Sequence, residues 1–302
     1  MRIASLLPSA TEIVCALGGR ADLVAVSHEC DYPASVRDLP QITASAVLTS
    51  GMSQAQIDAS VSAVVQAGGS TYDIDQALLR RLDPDLLITQ ALCDVCAVSE
   101  GLVHRTVHEQ ELGCGVLTLT PLTLDMVWES ILQVGEAIDR EVQARDTVRL
   151  LRARAKSVRQ TTENGPHPRV LTLEWFDPPF IGGHWLPEQV ELAGGVNPLG
   201  ASGEKSRRAT WDEIAAADPD LIVLLPCGYD LDSVVAQSAA LRDRPEWGSL
   251  RAVRDGAVWA VDANAWFSRP GPRLADGIEA LAQIFADPLA TSASPGTCRV
   301  GG

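Results

Sequence analysis

The sequence predicts an α/β protein with two lobes of mostly parallel sheet, joined by a long helical spine, with a ligand cleft between the lobes. One observation is a segment at residues 124–162, where apolar residues recur at helical spacing and charged residues occupy the other faces. The other is that short apolar strands alternate with helices on both sides of this segment. We divide the chain into an N-terminal lobe (1–121), the spine (122–164), a C-terminal lobe (165–286) and a flexible tail (287–302).

The spine could be one helix or two helices end to end, because the pattern is compatible with a break near Asp139. About forty residues of helix would span roughly 60 Å at 1.5 Å per residue. That is longer than one small domain is wide, so we expect the segment to join two lobes. The motif Asn164-Gly165-Pro166 supplies the stop signal at its end.

The N-terminal lobe begins with the pattern of a parallel α/β unit. An apolar run at residues 3–7 predicts a strand, and Ser9 to Glu12 has capping-box spacing before a helix that Gly18-Gly19 ends. Residues 41–71 are rich in Ser, Ala and Gly, and we interpret them as an excursion from this lobe. Three further strands are predicted at residues 23–26, 86–89 and 116–119, and two helices at residues 75–82 and 104–111.

The C-terminal lobe repeats this plan. Strands are predicted at residues 170–173, 221–225 and 258–261, and helices at residues 188–193, from residue 210, and up to residue 285. The motif Asp-Pro-Asp-Leu precedes a strand in each lobe, at residues 83–86 and 218–221, and it is the clearest internal repeat of the chain.

Composition narrows the class of protein. The chain has 302 residues, 46% of them apolar, which is enough for two domains. A formal charge of −15 argues against nucleic acid or an anionic membrane surface as partner. No apolar run of 18 residues predicts a membrane span. The first residues show no signal-peptide pattern. The seven cysteines lack the regular spacing of a disulfide-rich protein, which suits reduced thiols. We therefore expect a cytoplasmic protein.

Thiols and imidazoles follow several of the predicted strands. In parallel sheets ligands bind at the carboxyl ends of the strands. Thiolate and imidazole side chains suit a soft metal ion such as zinc. Cys-x-x-Cys is also a redox dithiol motif, and buried cysteines often serve as small hydrophobic residues. The candidate metal ligands are His28, Cys30, Cys93, Cys96 and His184.

Aromatic residues and two arginines occupy the same strand ends. Large flat rings suit a large flat ligand, although core packing explains some of them. Arg269 and Arg273 open the last helix, where they either grip an anionic group or pair with nearby acids. The candidate ligand-binding residues are Tyr32, Glu174, Trp175, Trp185, Tyr229, Trp266, Phe267, Arg269 and Arg273.

Several motifs together resemble the helical-backbone substrate-binding proteins of ABC importers for cobalamin and iron siderophores. They are the opening at residues 3–14, the repeated Asp-Pro-Asp-Leu, the helical spine and the segment at residues 267–273. The motifs at residues 28–33, 93–96 and 183–185 are similar to the subset labelled cobalamin-binding. The resemblance covers about residues 1–286.

The resemblance implies a bilobal protein that holds a cobalamin-like or other metal-tetrapyrrole ligand. By position, Tyr32, Trp185, Trp266 and Phe267 would pack against that ligand. Importer members also present an acidic residue on each lobe to an ABC permease. In the second lobe Asp212 or Glu213 would serve, whereas the corresponding stretch of the first lobe reads Gln76-Ala77-Leu78 with Asp75 nearby.

Three hypotheses follow. The leading one is a non-enzymatic binding protein whose histidines and cysteines contact the metal of the ligand or bind a separate ion such as zinc. The second is a metal-dependent enzyme, a chelatase or zinc hydrolase, with Glu174 or Glu29 as general base. The third is an exported importer component, partnered by an ABC permease, whose true start lies upstream. We favour binding because the sequence shows no nucleophile–base pair and no phosphate loop.

Overall fold

The computed structural model describes residues 1–47, 49, 51–92, 98 and 100–300. The chain separates into two compact units. The first comprises Met1–Pro121 and Asp125–Arg149, and the second comprises Leu122–Leu124 and the chain from Leu150 onward.

The first unit is built on a parallel sheet. Its strands are β1 (Ile3–Ser5), β2 (Leu23–Val26), β3 (Thr43–Ser45), β4 (Tyr72–Ile74), β5 (Leu86–Gln90) and β6 (Gly115–Leu119). Its helices are α1 (Pro8–Ala16), α2 (Gln54–Gln66), α3 (Gln76–Leu82), α4 (Glu100–Glu109) and α5 (Leu124–Ala137). The main sheet has the order β2-β1-β5-β6 with all neighbours parallel, and β3 and β4 form a separate antiparallel pair.

The first helix begins two residues earlier than the capping-box pattern predicts. Pro8 is its first residue, Leu7 precedes it without a side-chain cap, and Ser9 to Glu12 lie buried inside the helix. Proline is favoured at this position because the N–H group that it lacks would have no partner in the helix. The prediction of a cap at Ser9 is therefore wrong.

The spine segment forms two helices. Helix α5 ends at Ala137, and α6 (Glu141–Thr162) follows and passes from the first unit to the second. Asp139 has a φ of +58°, which no helix can continue through. The Arg140 N–H donates to the Gly135 carbonyl at 2.7 Å and closes the end of α5. Of the two alternatives read from the sequence, the break near Asp139 is the one that occurs.

The second unit is built on a mixed sheet. Its strands are β7 (Val170–Phe176), β8 (Pro179–Ile181), β9 (Arg207–Arg208), β10 (Leu221–Leu224), β11 (Val258–Val261) and β12 (Thr297–Arg299). Its helices are α7 (Leu186–Leu192), α8 (Trp211–Ala217), α9 (Leu231–Ser238), α10 (Pro245–Ser249), α11 (Arg251–Arg254), α12 (Ala263–Trp266) and α13 (Leu274–Ala286). The order is β12-β11-β10-β7-β8-β9, with a parallel centre (β11, β10, β7) and antiparallel strands on both sides.

The strand predicted at residues 170–173 is longer than its apolar run. It continues to Phe176, and β8 returns alongside it, with Trp175 paired to Phe180. The register shifts between Leu173 and Trp175, so Glu174 lies in a bulge. A bulge redirects side chains locally. Glu174 and Trp175 thus belong to a strand, whereas the sequence suggested a loop.

The tail also differs from the expectation of flexibility. Residues 297–299 form β12, whose Cys298 pairs with Ala260 of β11. The Val300 N–H donates to the Val258 carbonyl at 2.9 Å. The outer edge of β11 offers backbone donors and acceptors that need partners, and a short strand of any composition can supply them.

Both units contain the same Asp-Pro-Asp turn, at residues 83–85 and 218–220. In each turn the first aspartate follows a helix with nearly the same left-handed φ, +39° at Asp83 and +41° at Asp218. In each, the last aspartate accepts the backbone N–H of an arginine at 2.7 Å, from Arg2 to Asp85 and from Arg169 to Asp220.

The two arginines also bond the helix that ends at the turn. Arg2 donates through Nη2 to the Leu82 carbonyl at 2.6 Å, and Arg169 donates likewise to the Ala217 carbonyl at 2.7 Å. The repeat read from the sequence is therefore a repeat of structure, which ties helix, turn and strand together in both units.

Candidate functional site

His28 is held by hydroxyl groups at the carboxyl end of β2. Its Nδ1 lies 2.7 Å from Oγ1 of Thr43, and its backbone N–H donates to the same oxygen at 3.1 Å. The Thr43 hydroxyl donates to Oγ of Ser27 at 3.0 Å. Because a hydroxyl has one proton to give, Nδ1 of His28 must be the donor to Thr43.

Glu29, one of the two candidate bases of the enzyme hypothesis, lies beside the same network. The Tyr72 hydroxyl donates to its Oε1 at 2.9 Å, and the Tyr72 ring centroid is 5.6 Å from that of His28. The carboxylate thus has a phenol partner and a structural role. Tyr32, a predicted ligand contact, lies nearby in sequence with 48% of its surface exposed.

Cys30 is buried, at 3% exposure. Its Sγ lies 3.1 Å from Oγ1 of Thr11, which donates to Oγ of Ser5 at 2.8 Å. The thiol belongs to a chain of buried hydroxyl groups at the carboxyl end of β1. Cys93 and Cys96, the other two predicted thiolate ligands, lie outside the described residues.

The described part of the chain contains no group of three or more His, Cys, Asp and Glu side chains that could hold a metal ion. The predicted zinc or other soft-metal site therefore has no support there. His28 and Cys30 belong to the first unit and His184 to the second.

His184 has a constrained backbone in the second unit. Its φ is +53°, in the left-handed region that a residue with a side chain rarely adopts. The His184 N–H donates to the Glu204 carbonyl at 2.6 Å, and the Gly203 N–H donates to the His184 carbonyl at 3.0 Å. The preceding Gly183 packs against the same loop, where a Cβ would lie 2.7 Å from Lys205 C. Only glycine fits there, and the contact fixes the histidine.

The His184 imidazole is neutral and only partly satisfied. Its Nδ1 lies 3.3 Å from Oγ of Ser206, while its Nε2 is buried without a hydrogen-bond partner among the described residues. Burial, and then the charge of Lys205, lower the pKa of His184. An unpaired buried ring nitrogen is costly unless something binds it, so the imidazole is suited to a ligand.

Two of the predicted ligand aromatics lie in the interior. Trp185 is 5% exposed and donates through Nε1 to the Phe267 carbonyl at 2.8 Å, and Phe267 is 1% exposed. Their rings are used in packing, so they form the framework behind the strand ends.

The other aromatics of the second unit are partly exposed. Trp175 on β7 and Tyr229 after β10 have ring centroids 5.8 Å apart. The Asn264 N–H donates to the Tyr229 carbonyl at 3.0 Å, which joins this loop to α12, and α12 ends at the half-buried Trp266. The carboxyl ends of three parallel strands thus carry three accessible rings.

Glu174 and the two arginines border these rings. The Glu174 carbonyl accepts the Cys227 N–H at 3.3 Å. Arg269 is buried at 7% exposure, whereas Arg273 is half-buried. Burial raises the pKa of Asp262, and the charges of Arg273 and Arg269 oppose that rise. Both arginines therefore have an acid of their own unit to face, and Arg273 is the more accessible of the two.

Sequence reasoning missed the hydroxyl groups that hold the histidines. Thr43 and Ser206 lie 15 and 22 residues from His28 and His184. Single Ser and Thr residues carry no signal at such distances.

The chain matches the family model described as periplasmic binding protein over residues 3–265. A vitamin B12-binding protein from Vibrio cholerae serotype O1 is 27% identical over 284 residues, which cover 92% of this chain and 86% of that protein. An uncharacterized ABC transporter substrate-binding lipoprotein from Bacillus subtilis is 24% identical over 295 residues, covering 95% of this chain and 80% of that protein.

Solved structures share the fold. A periplasmic heme binding protein from Pseudomonas aeruginosa has a TM-score of 0.72 at 22% identity, covering 100% of this chain and 98% of that one. The periplasmic vitamin B12 binding protein of Vibrio cholerae has a TM-score of 0.65 at 22% identity, covering 93% and 94%. These structures confirm the predicted α/β class, and the family model with its relatives confirms the resemblance to substrate-binding proteins.

The predicted cytoplasmic location is wrong. The matched family is one of periplasmic binding proteins, and the relatives include a protein named as a substrate-binding lipoprotein. These comparisons point to a protein that works outside the cytoplasm. The prediction rested on how the chain starts and on an odd number of cysteines, and neither property reports where a folded protein is delivered.

No helix in the described part of the chain combines the length and apolar character needed to cross a membrane. The family model spans most of the sequence, and the matching relatives align over nearly all of it. The chain belongs to the periplasmic binding protein family.

Proposed function

We propose that this chain is the substrate-binding component of an ABC importer and that its ligand is a metal tetrapyrrole of the cobalamin or haem type. The relative from Vibrio cholerae is named for vitamin B12, and structures of the same fold are named for vitamin B12 or heme. These names support the ligand class. The residues of the second unit support it independently.

The accessible rings of the second unit suit a flat macrocycle. Trp175, Tyr229 and Trp266 offer apolar faces at the carboxyl ends of neighbouring strands, and aromatic rings stack favourably on flat conjugated ligands. Arg273 lies at the start of α13, where it would bind an acidic substituent on the edge of the macrocycle.

The observation that carries the proposal is the state of His184. The Gly183 N–H already donates to Oγ of Ser206 at 3.1 Å, and that oxygen can accept a second hydrogen bond from Nδ1 of His184. We take Nδ1 as the donor of this bond, which leaves a lone pair on Nε2, and the lowered pKa of His184 favours the neutral ring. A neutral imidazole with one nitrogen fixed by a hydroxyl is a suitable axial ligand for the metal of the bound tetrapyrrole.

His28 has the same arrangement in the first unit. Its Nδ1 lies 2.7 Å from Oγ1 of Thr43, which donates to Ser27. The metal comes with the ligand in this proposal, so a separate zinc site is not needed.

For the permease partner, Asp212 is the acid that α8 leaves exposed. The neighbouring Glu213 is engaged, because its carboxylate accepts the Thr210 N–H at 2.7 Å and pairs with Arg207 at 3.2 Å. In the first unit Asp75 accepts the Leu78 N–H at 2.8 Å as the cap of α3. We propose Asp212 as the residue that faces an arginine of the permease.

Absorbance titration with aquacobalamin and with haemin tests the ligand class. We expect one of the two to bind with a change in its visible spectrum, because coordination by an imidazole alters the electronic transitions of the metal complex. In the His184→Ala variant we expect that change to be lost and the Kd to rise about tenfold, which corresponds to roughly 1.4 kcal/mol.

The exposed His104 on α4 provides the matched control. It pairs with Glu100 at 3.5 Å and lies far along the sequence from the strand-end residues. The His104→Ala variant should bind like the wild type. Failure of both macrocycles to bind the wild type would refute the proposal, whereas equal losses in the two variants would refute the role of His184.

A further inference from the structure

The chain beyond α13 returns to the strand ends of the second unit. A turn at residues 293–297 is held by the Thr297 hydroxyl, which accepts the Ala293 N–H at 3.1 Å and the Ser294 N–H at 3.0 Å. β12 then pairs with β11. At the start of this strand the Gly296 carbonyl accepts the Asp262 N–H at 2.9 Å. The tail is thereby attached to the residue that caps α12.

Gly296 lies against the indole of Trp266. Its φ is +85°, and a Cβ at this position would come within 2.9 Å of Cζ2 and 3.1 Å of Cζ3, and closer still to Cη2. All three atoms belong to the six-membered ring of the indole. Any side chain at residue 296 would push the ring out of its place.

The backbone of Trp266 is fixed from other directions. Its N–H donates to the Asp262 carbonyl at 3.3 Å, and its carbonyl accepts Nε2 of Gln189 at 3.3 Å. A Cβ on Gly277 of α13 would lie 2.6 Å from the same carbonyl. With the backbone held by α7, α12 and α13, the tail is the element that sets the position of the ring.

We propose that the C-terminal tail is a positioning element for ligand binding, in which Gly296 sets the indole of Trp266 at the angle that the macrocycle requires. This inference rests on the proposed function, because it assigns the ring a ligand to stack on. It adds a determinant of affinity from residues 287–300, which lie beyond the segment matched by the family model.

The test compares Gly296→Ala with Gly18→Ala. Gly18 has a φ of +78° and no atom within 4 Å of its would-be Cβ, so the control carries a similar backbone penalty without the contact. We expect only Gly296→Ala to change the near-ultraviolet circular dichroism that Trp266 contributes, measured as the difference between wild type and Trp266→Phe. We expect the Kd for the bound macrocycle to rise about tenfold in Gly296→Ala and to stay unchanged in Gly18→Ala.

The same substitution in the Trp266→Phe variant separates the effect of the Gly296–Trp266 contact from a general loss of structure. Phenylalanine lacks the outer ring atoms that residue 296 would displace, so Gly296→Ala should have little further effect on Kd in the Trp266→Phe variant. If Gly296→Ala folds poorly, Gly296→Asn replaces it, because asparagine tolerates a positive φ and still carries a Cβ.

Two results would overturn the inference. One is a Trp266 signal that is the same in Gly296→Ala as in Gly18→Ala. The other is an equal loss of affinity from Gly296→Ala with and without Trp266. If the indole signal changes as expected but the wild type binds neither aquacobalamin nor haemin, the proposed function fails, and the role of the tail in binding fails with it.

Discussion

The two units share a framework and differ in the chemistry at their strand ends. Each has a sheet with parallel strands, an Asp-Pro-Asp turn and a helix with a proline in its first turn. In the first unit this helix is α1, with Pro8, and in the second it is α7, with Pro187. Beside α1 the first unit links Cys30 to buried hydroxyl groups, whereas the strand ends of the second unit carry the rings of Trp175 and Tyr229.

One helical position shows how the difference arises. The third residue after the proline is Thr11 in α1 and Val190 in α7, and both are fully buried. Thr11 bonds Ser5 and Cys30, while Val190 packs in an apolar interior. The sheet and turns thus define the fold of each unit. The single buried residue at this helical position decides whether a hydroxyl or an apolar group lies beside the helix.

The largest effect should come from exchanging these two residues. We expect Val190→Thr to lower the free energy of unfolding by about 2 kcal/mol, because it buries a hydroxyl whose only partner would be a helix carbonyl. We expect Thr11→Val to cost about 1 kcal/mol, because Ser5 still donates to the Leu7 carbonyl. Urea unfolding with secondary-structure and tryptophan signals measures both.

The order of these two costs is the informative result. A larger loss for Thr11→Val would mean that the hydroxyl chain is the main stabilising element of the first unit. Val190→Ala serves as the control, because it removes volume without adding a polar group.

At the Asp-Pro-Asp turns we expect a smaller difference in stability, and one that depends on pH. Hydrogen bonds from Arg251 lower the pKa of Asp218. The pKa of Asp220 is lowered as well. Burial raises it, but the hydrogen bonds from the Arg169 N–H and from Arg251 outweigh that rise. A carboxylate with a lowered pKa stabilises the folded state above its unfolded pKa, near 3.8, and this contribution is lost as pH falls toward the folded pKa.

Replacing Arg251 should therefore weaken the second unit at neutral pH more than in acid. We expect Arg251→Gln to lower the Tm by a degree or two at pH 7, in keeping with an exposed ion pair, and by less at pH 3. Arg149→Gln, which removes an exposed pair with Asp146, is the matched control. A Tm loss for Arg251→Gln that is equal at both pH values would show that the guanidinium acts through packing alone.

The sequence predicted what depends on local pattern and missed what depends on distant contacts. The strand at residues 221–224 and the repeated turn follow from apolar runs, proline and aspartate spacing, whereas the spine pattern allowed one helix or two and the φ of Asp139 decides for two. The β7–β8 hairpin and β12 do not, because a strand that follows Asp177-Pro178 directly and a strand in a Pro/Gly-bearing tail are defined by the partner strand.

The same division applies to the site. Position after a strand selected His28, His184 and Trp266, which follow β2, β8 and β11, whereas Trp175 lies within β7. It could not separate Trp266 from Trp185, since the indole N–H of Trp185 is bonded to a carbonyl 82 residues away. Burial depends on the folded neighbours, and one sequence carries little information about them.

The smallest predicted effect concerns the charge beside His184. Because its pKa is lowered, chiefly by burial and then by Lys205, the folded state resists protonation below pH 6.5 while the unfolded chain takes up a proton. Stability from this residue is therefore present above that pH and is lost as pH falls. We expect Lys205→Ala to raise the pKa of His184 while leaving it below that of a free histidine, because burial remains.

A titration of the imidazole Cε1–H signals by NMR measures this shift, with His184→Gln to assign the resonance. Lys156→Ala on α6 is the control, since it removes an exposed lysine that does not figure among the causes of the His184 shift. An unchanged His184 pKa in Lys205→Ala would assign the whole effect to burial. A wild-type His184 that is still mostly protonated at pH 7 would overturn the assignment, because a charged ring could not offer Nε2 to a metal.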